Sequence, residues 1–272
     1  MVRPSVATSL VVAFLAVLGL MALALTQRAR SAQQGTGQRA QGTGPAVSGR
    51  PLQPLRSVAR SARPAPTPQR PHGYGVLRVR AGRSLALRAK PGGRVLTRVG
   101  AATQFGSPTT LAVTARHGAW AAVTSTDLPN GKLGWVKTSK GVVEVHRTRL
   151  AIRVDLSRRR LQLVKGRHVV RSATVGVGRP GSPTPRGRFA ITDKLDGSGY
   201  GPYYGCCILA LSGHQTNTPA GWRGGDRLAI HGTDDPSSIG VPSSAGCLHA
   251  DADDLRVLMR RVPLGTPVFI RA

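Results

Sequence analysis

From Tyr74 onward the chain sets apolar and polar residues in alternation, in short runs separated by Gly, Pro and Asn. "GVLRVRAG", "RVLTRVG", "TTLAVTARHGAWAAVTS" and "LGWVKTS" follow the two-residue period of strands with one buried face. Asn130-Gly131, between "WAAVTSTDL" and "LGWVKTS", predicts a hairpin, because both residues tolerate positive φ. A second series starts at Arg149. "AIRVDLS" alternates Ile152, Val154 and Leu156, "RLQLVKG" alternates Leu161 and Leu163, and "HVVRSATVGVG" follows a Lys165-Gly166 turn. "SPTPRGRFAITD" places a Pro/Gly-rich turn before another strand, and "VPLGTPVFIRA" reads as a turn and a final strand. One segment has a helical period, "DADDLRVLMRR", with Asp251 placed to cap it and Leu255, Leu258 and Met259 on one face. No internal repeat is visible. The pattern predicts a mostly β protein with few short helices: one small β domain over residues 74–148 and a second over 149–272.

The region before Tyr74 behaves differently. Val6 to Leu25 is a run of twenty uncharged residues. As a helix rising about 1.5 Å per residue it spans roughly 30 Å, the thickness of a bilayer core. "ALA" at Ala22–Ala24 also suits the exit of a cleaved leader. Residues 1–26 are therefore expected to be a signal peptide or a membrane anchor, which places the rest of the chain outside the cytoplasm. Residues 27–73, rich in Gln, Gly, Pro, Ser and Arg, have sparse apolar residues without a period and are expected to be a disordered linker.

Charge narrows the partners. The formal net charge is +28, and all eleven acidic residues lie at or after Asp127, so the first 126 residues carry 17 Lys/Arg and no acid. This excess favours anionic partners: nucleic acid, anionic lipid heads or acidic wall polymers. Aromatic residues make up only 4% of the chain, which argues against base stacking, and export removes nucleic acid from the surroundings.

Candidate chemistry concentrates in "IHGTDDPSSIGVPSSAGCLHA", residues 230–250. The three cysteines, Cys206, Cys207 and Cys247, are too few for a disulfide framework, and one is unpaired whatever bonds form. Cys206 and Cys207 are expected on opposite faces of a strand in "YYGCCILAL". Cys247 sits among small residues, and a nearby imidazole raises its thiolate fraction. His231 ends the apolar run "RLAIHGT" and is expected at a strand end facing a cleft. Gly246 leaves room for a substrate carbonyl, and the N–H groups of Gly246 and Cys247 are placed to hold an oxyanion. One segment thus offers nucleophile, base and oxyanion donors, the set that acyl transfer needs. Each residue also has a structural alternative: a small buried thiol, or a hydrogen-bonded histidine. Cys206, Cys207, His214, His231, Cys247 and His249 fit no tight metal-ligand spacing, so no metal is expected.

The residues from Arg149 to Ala272 resemble the L,D-transpeptidase (YkuD-type) catalytic domain. "IRVDLSRRRLQLVKG" is similar to its opening hairpin, "TPRGRFAI" to its Thr-Pro-x-Gly-x-Phe turn, "AIHGT" to its histidine strand, "SSAGCLHA" to its Ser-His-Gly-Cys signature and "VPLGTPVFI" to its closing strand. Residues 74–148 resemble bacterial SH3-like modules through Trp120, Val123, Asn130-Gly131 and Gly134-Trp135-Val136. The fold so implied is mostly β: a small SH3-like barrel followed by a β-sandwich-like catalytic domain. The resemblance implies Cys247 as nucleophile, His231 as general base and acid, Ser244 orienting the histidine through its backbone, and Gly246 with Cys247 as oxyanion site. Ala245 stands where the family has a histidine, and His249 where it has Arg or Asn. Gly232, Ala245, His249, Tyr203, Tyr204 and His214 are candidate cleft residues, with buried structural roles equally open for Tyr203, Tyr204 and His214.

The implied reaction cleaves a peptidoglycan stem before its terminal D-Ala through a thioester on Cys247. An amine of a second stem then gives a 3→3 cross-link, whereas water gives L,D-carboxypeptidase activity. No cofactor is required, and the expected partners are stem peptides, with anionic wall polymers and, if the N-terminus is uncleaved, the membrane. A cysteine peptidase of the NlpC/P60 kind has the opposite Cys–His order. A non-catalytic wall-binding protein is the remaining alternative.

Overall fold

A computed structural model of the chain describes residues 73–139 and 141–272. The expected apolar leader at 1–26 and nearly all of the expected linker lie outside the described residues.

The first seven strands are β1 (Tyr74–Val79), β2 (Leu85–Arg88), β3 (Val95–Val99), β4 (Thr110–His117), β5 (Trp120–Val123), β6 (Gly134–Lys137) and β7 (Val143–Thr148). They form one sheet in the order β3-β2-β6-β5-β4-β1-β7, with every pairing antiparallel. Its core is aliphatic: Leu77, Leu87, Ala121, Val123 and Val136 are all fully buried. The predicted β5–β6 hairpin forms, but its loop covers 124–133, and only Gly131 of the Asn-Gly pair has positive φ, +78°. The turn donates Lys132 N–H to Pro129 O, which frees the Asn130 side chain for work elsewhere.

The remaining strands are β8 (Leu150–Asp155), β9 (Arg160–Lys165), β10 (His168–Gly178), β11 (Gly187–Asp196), β12 (Cys207–His214), β13 (Arg227–His231), β14 (Pro242–Ser244), β15 (Leu248–Ala250) and β16 (Pro267–Arg271). Two long strands change partners midway. β10 pairs with β9 up to Thr174 and with β15 from Val175. β11 pairs with β16 up to Ala190 and with β12 from Ile191. Register shifts near both switches bend the strands. The result is one nine-stranded sheet closed on itself by the β9–β10 pairing, around Leu161, Leu163, Phe189, Ile191, Leu209, Leu228, Ile230 and Leu248.

The helix forms where its period predicts it, as α1 (Ala252–Arg261). Asp251 caps it by accepting from Asp253 N–H at 2.8 Å. Leu255 and Leu258 are fully buried against the core. Each contributes roughly 1.5–3 kcal/mol by leaving water.

The two sheets meet within one compact unit. At their seam Asn130 holds the backbone of His214 at both ends, donating to its carbonyl at 2.6 Å and accepting from its N–H at 2.9 Å. Thr103 donates to the buried Asp193 carboxylate, and the Tyr74 and Phe269 rings approach to 5.9 Å between centroids.

Candidate functional site

Strand alternation assembles the site. β13 and β15 run parallel, with Ile230 opposite Leu248 and His231 opposite His249. Because successive side chains point to opposite faces, Leu228, Ile230 and Leu248 enter the core. His231 and His249 turn to the other face, together with Cys247, two residues before His249. The imidazole rings lie 4.9 Å apart. Over this face lie Tyr203, Tyr204 and Trp222. Tyr204 stands 4.9 Å and Tyr203 5.5 Å from the His231 ring, while Tyr203 meets Trp222 at 5.9 Å. Cys247 and His231 line one narrow cleft of about 20 Å³ with Tyr203, Tyr204, Gln215, Trp222 and Ala245.

His231 is fully buried. Its Nδ1 lies 2.6 Å from Gly232 O. A carbonyl only accepts, so Nδ1 carries the hydrogen and a neutral ring presents a lone pair at Nε2. That Nε2 is buried and has no hydrogen-bond partner among the described residues. Burial, with repulsion from His249 adding to it and the bond to Gly232 opposing it, lowers the imidazole to about 3. An unpartnered buried nitrogen is costly for stability, and this one shares its cleft with the Cys247 thiol. The oxygen that orients this ring belongs to Gly232 and not, as the resemblance implied, to Ser244.

Cys247 is the free cysteine, partly exposed as a residue. Its sulfur is nonetheless enclosed, and burial raises the thiol to about 11, opposed by the Ala229 backbone. Sγ approaches Arg227 O at 3.8 Å. Ser244 braces the loop that carries it: its hydroxyl donates to Cys247 O at 2.6 Å and accepts Gly246 N–H at 3.0 Å. This corrects a second expectation, since the Gly246 N–H is engaged by Ser244 and not open to an oxyanion. Gly246 is required for another reason. Its φ is +123°, and a Cβ there would stand 1.9 Å from Gln215 Nε2.

The other predicted residues divide. Tyr203, Tyr204 and Ala245 line the cleft. Gly232 contributes its carbonyl. His249 is buried beneath, with Nδ1 2.9 Å from Ser238 Oγ and Nε2 unpartnered among the described residues. His214 lies outside the cleft, at the seam, where Nδ1 faces Asp226 at 3.0 Å and Nε2 faces Thr126 O at 2.7 Å. Cys206 and Cys207 are joined by a disulfide between adjacent residues. Cys206 belongs to the turn before β12, so strand alternation does not separate the pair.

Sequence reasoning missed Gln215, Trp222 and Arg227. Gln215 Nε2 donates to Ser182 O, Pro183 O and Ala245 O, tying the end of β12 and the Ser182–Pro183 turn to the cysteine loop. Nothing in "GHQTNTPAGWRGGD" marks Gln215 locally, because the three acceptors of its Nε2 lie at least 30 residues away.

Residues 149–270 match the family model described as YkuD, L,D-transpeptidase catalytic domain. A Bacillus licheniformis protein carrying the name L,D-transpeptidase YkuD is 35% identical over 119 residues, 44% of this chain and 64% of that protein. A Salmonella typhimurium protein carrying the name L,D-transpeptidase ErfK/SrfK is 31% identical over 118 residues, 39% of this chain and 38% of that protein. The chain thus spans less than two thirds of the curated relatives it matches. Among solved structures, an L,D-transpeptidase from Mycobacterium smegmatis aligns with 71% of this chain and 99% of its own, at 15% identity and a TM-score of 0.37.

Proposed function

We propose that the chain is a peptidoglycan L,D-transpeptidase whose nucleophile is Cys247 and whose general base and acid is His231. The observation that carries this reading is the shared cleft, where the bare, buried Nε2 of His231 and the only free thiol among the described residues share one sheet face. Both groups rest neutral, with the thiol near 11 and the imidazole near 3. Proton transfer therefore accompanies attack instead of preceding it.

In the first half-reaction Sγ bonds to the carbonyl carbon of the third stem residue. The amide bond to D-Ala breaks, and the thiol proton passes through His231 Nε2 to the departing amine. In the second, the side-chain amine of another stem attacks the thioester. A new amide forms, the carbon–sulfur bond breaks, and the amine proton returns through His231 to Sγ. One amide replaces another, so no ATP is consumed. With Gly246 N–H held by Ser244, Cys247 N–H is the oxyanion donor of this pair. The cleft between His231 and Cys247 is narrow, about 20 Å³, room for roughly one water.

We place the enzyme outside the cytoplasm, with the basic N-terminal region and the SH3-like seven-stranded sheet facing anionic wall polymers. The test is incubation of the purified chain with a tetrapeptide stem, read by mass spectrometry. D-Ala with a cross-linked dimer is expected. D-Ala with tripeptide alone makes the chain an L,D-carboxypeptidase, and no D-Ala leaves a wall-binding protein without this activity.

A further inference from the structure

A second cavity, about 270 Å³, lies in the seam between the two sheets. It is far roomier than the thiol cleft and has no cysteine in its lining. It abuts that cleft, because Asp226 and Arg227 line both, and Cys247 Sγ rests against Arg227 O. We propose that this seam cavity recognises the charged end of the acceptor stem, a peptide bearing both a free amine and a carboxylate, before its amine meets the thioester; this rests on the transpeptidase reading above.

The charges in the cavity fit such a ligand. The seven-stranded sheet contributes Arg98, which is exposed and whose guanidinium has no ion-pair or hydrogen-bond partner among the described residues. It also contributes Asp127, exposed in the turn after β5, and the other domain contributes Asp226. A chain with 39 Lys and Arg against 11 acids is poor in carboxylates, yet two exposed ones border this single hollow. Arg98 and Arg227 balance the two carboxylates, of which Asp127 accepts from Ser125 and Asp226 faces His214, and in this mixed field a zwitterion finds a guanidinium for its carboxylate and carboxylates for its ammonium. Thr103, Thr110 and Thr126 add hydroxyls to the walls instead of an apolar floor.

The hollow is also held in shape. The Asn130 clasp on His214, the bond from His214 to Thr126 O and the bond from Thr103 to Asp193 all cross this seam. A site built on fixed elements from both sheets binds without paying for its own ordering. The shared wall at Asp226 and Arg227 gives the second stem an approach beside the thiol cleft.

The experiment measures binding of the tripeptide product, which keeps amine and carboxylate, to the full chain carrying Cys247→Ala, by calorimetry at low and high salt. Arg98→Glu and Asp127→Asn are each expected to weaken binding about ten-fold, the scale of one charge-assisted hydrogen bond. Blocking the probe's carboxylate as an amide should weaken binding to the parent but cost Arg98→Glu nothing further, the coupling expected of a direct pair. Acetylating its side-chain amine should do the same for Asp127→Asn. In turnover with otherwise native Cys247, Arg98→Glu should raise the acceptor KM and divert product from dimer to tripeptide. Unchanged binding in both variants, no binding by the parent, or equal losses with blocked and unblocked probes overturns the proposal. D-Ala release by the unaltered chain is scored separately: its absence defeats the transpeptidase reading, while its presence with seam-insensitive acceptor binding defeats only the cavity.

Discussion

The two sheets solve the same packing problem and differ in what they bury. In the seven-stranded sheet the buried polar side chains are small hydroxyls, Thr109, Thr110, Thr124 and Ser125. In the larger domain the buried set includes Asp193, Gln215, His231, Ser238, Ser244 and His249. Of the five buried side-chain atoms without a hydrogen-bond partner among the described residues, Thr124 Oγ1 lies in the first sheet. Arg188 Nε, Asp193 Oδ2, His231 Nε2 and His249 Nε2 lie in the second domain. Folding alone selects against such atoms, since each costs about 1–3 kcal/mol. Two of them, His231 Nε2 and His249 Nε2, share the face that carries Cys247, while Arg188 and Asp193 lie on β11 beside the seam, so among the described residues the larger domain alone gathers unpartnered nitrogens on one face.

Four measurements sharpen or break this contrast, taken from the largest effect to the smallest. His231→Gln should lower D-Ala release by about a hundred- to ten-thousand-fold, the range of a lost general base, with the circular dichroism of the sheets unchanged. A full-rate variant in the mass-spectrometric assay would remove the base from the mechanism. Gly246→Ala should come next. The left-handed backbone costs about 1–3 kcal/mol for a residue with Cβ, and the 1.9 Å overlap with Gln215 must also be relieved. Carbapenem adduct formation on Cys247 is expected to slow markedly, with the circular dichroism of the sheets unchanged.

Acid and base should act on the same face. Unfolded, the histidine takes up a proton near 6.5, and folded only near 3. The unfolded state therefore binds more protons between these values, and stability falls as pH drops from about 6.5 toward about 3. Burial lowers His249 as well, in the same direction. The thiol moves oppositely, from 9.0 to about 11, so stability also falls as pH rises through that window. Thermal unfolding against pH should show both limbs, with the acid limb flattened in His231→Gln. The smallest change is expected from Asn130→Ala. It removes two hydrogen bonds at the seam and should cost about 1–3 kcal/mol, read as a lower unfolding midpoint.

Much of this was legible in residue order. Alternation in "AIRVDLS" and "RLQLVKG" yields β8 and β9, and the capped amphipathic run after Asp251 yields α1. His231 and Cys247 stood out because a histidine ending an apolar strand and a cysteine among small residues are local features. The contacts around them were not local. Ser244 turned out to brace the cysteine loop, Gly232 to orient the imidazole, and Gln215 to tie that loop to the segment around Ser182.

The sequence by itself determined which segments become strands, which face of each is apolar, and which side chains are candidates for acyl-transfer chemistry, because these depend on neighbours a few residues apart. Only the tertiary structure decided that β13 and β15 lie side by side, so that His231, His249 and Cys247 share a face, and that Arg98 and Asp127 meet Asp226 across a seam. Pairing of distant strands depends on how two long strands bend and switch partners. That geometry follows from the packing of the whole core and is not encoded in any short stretch of chain.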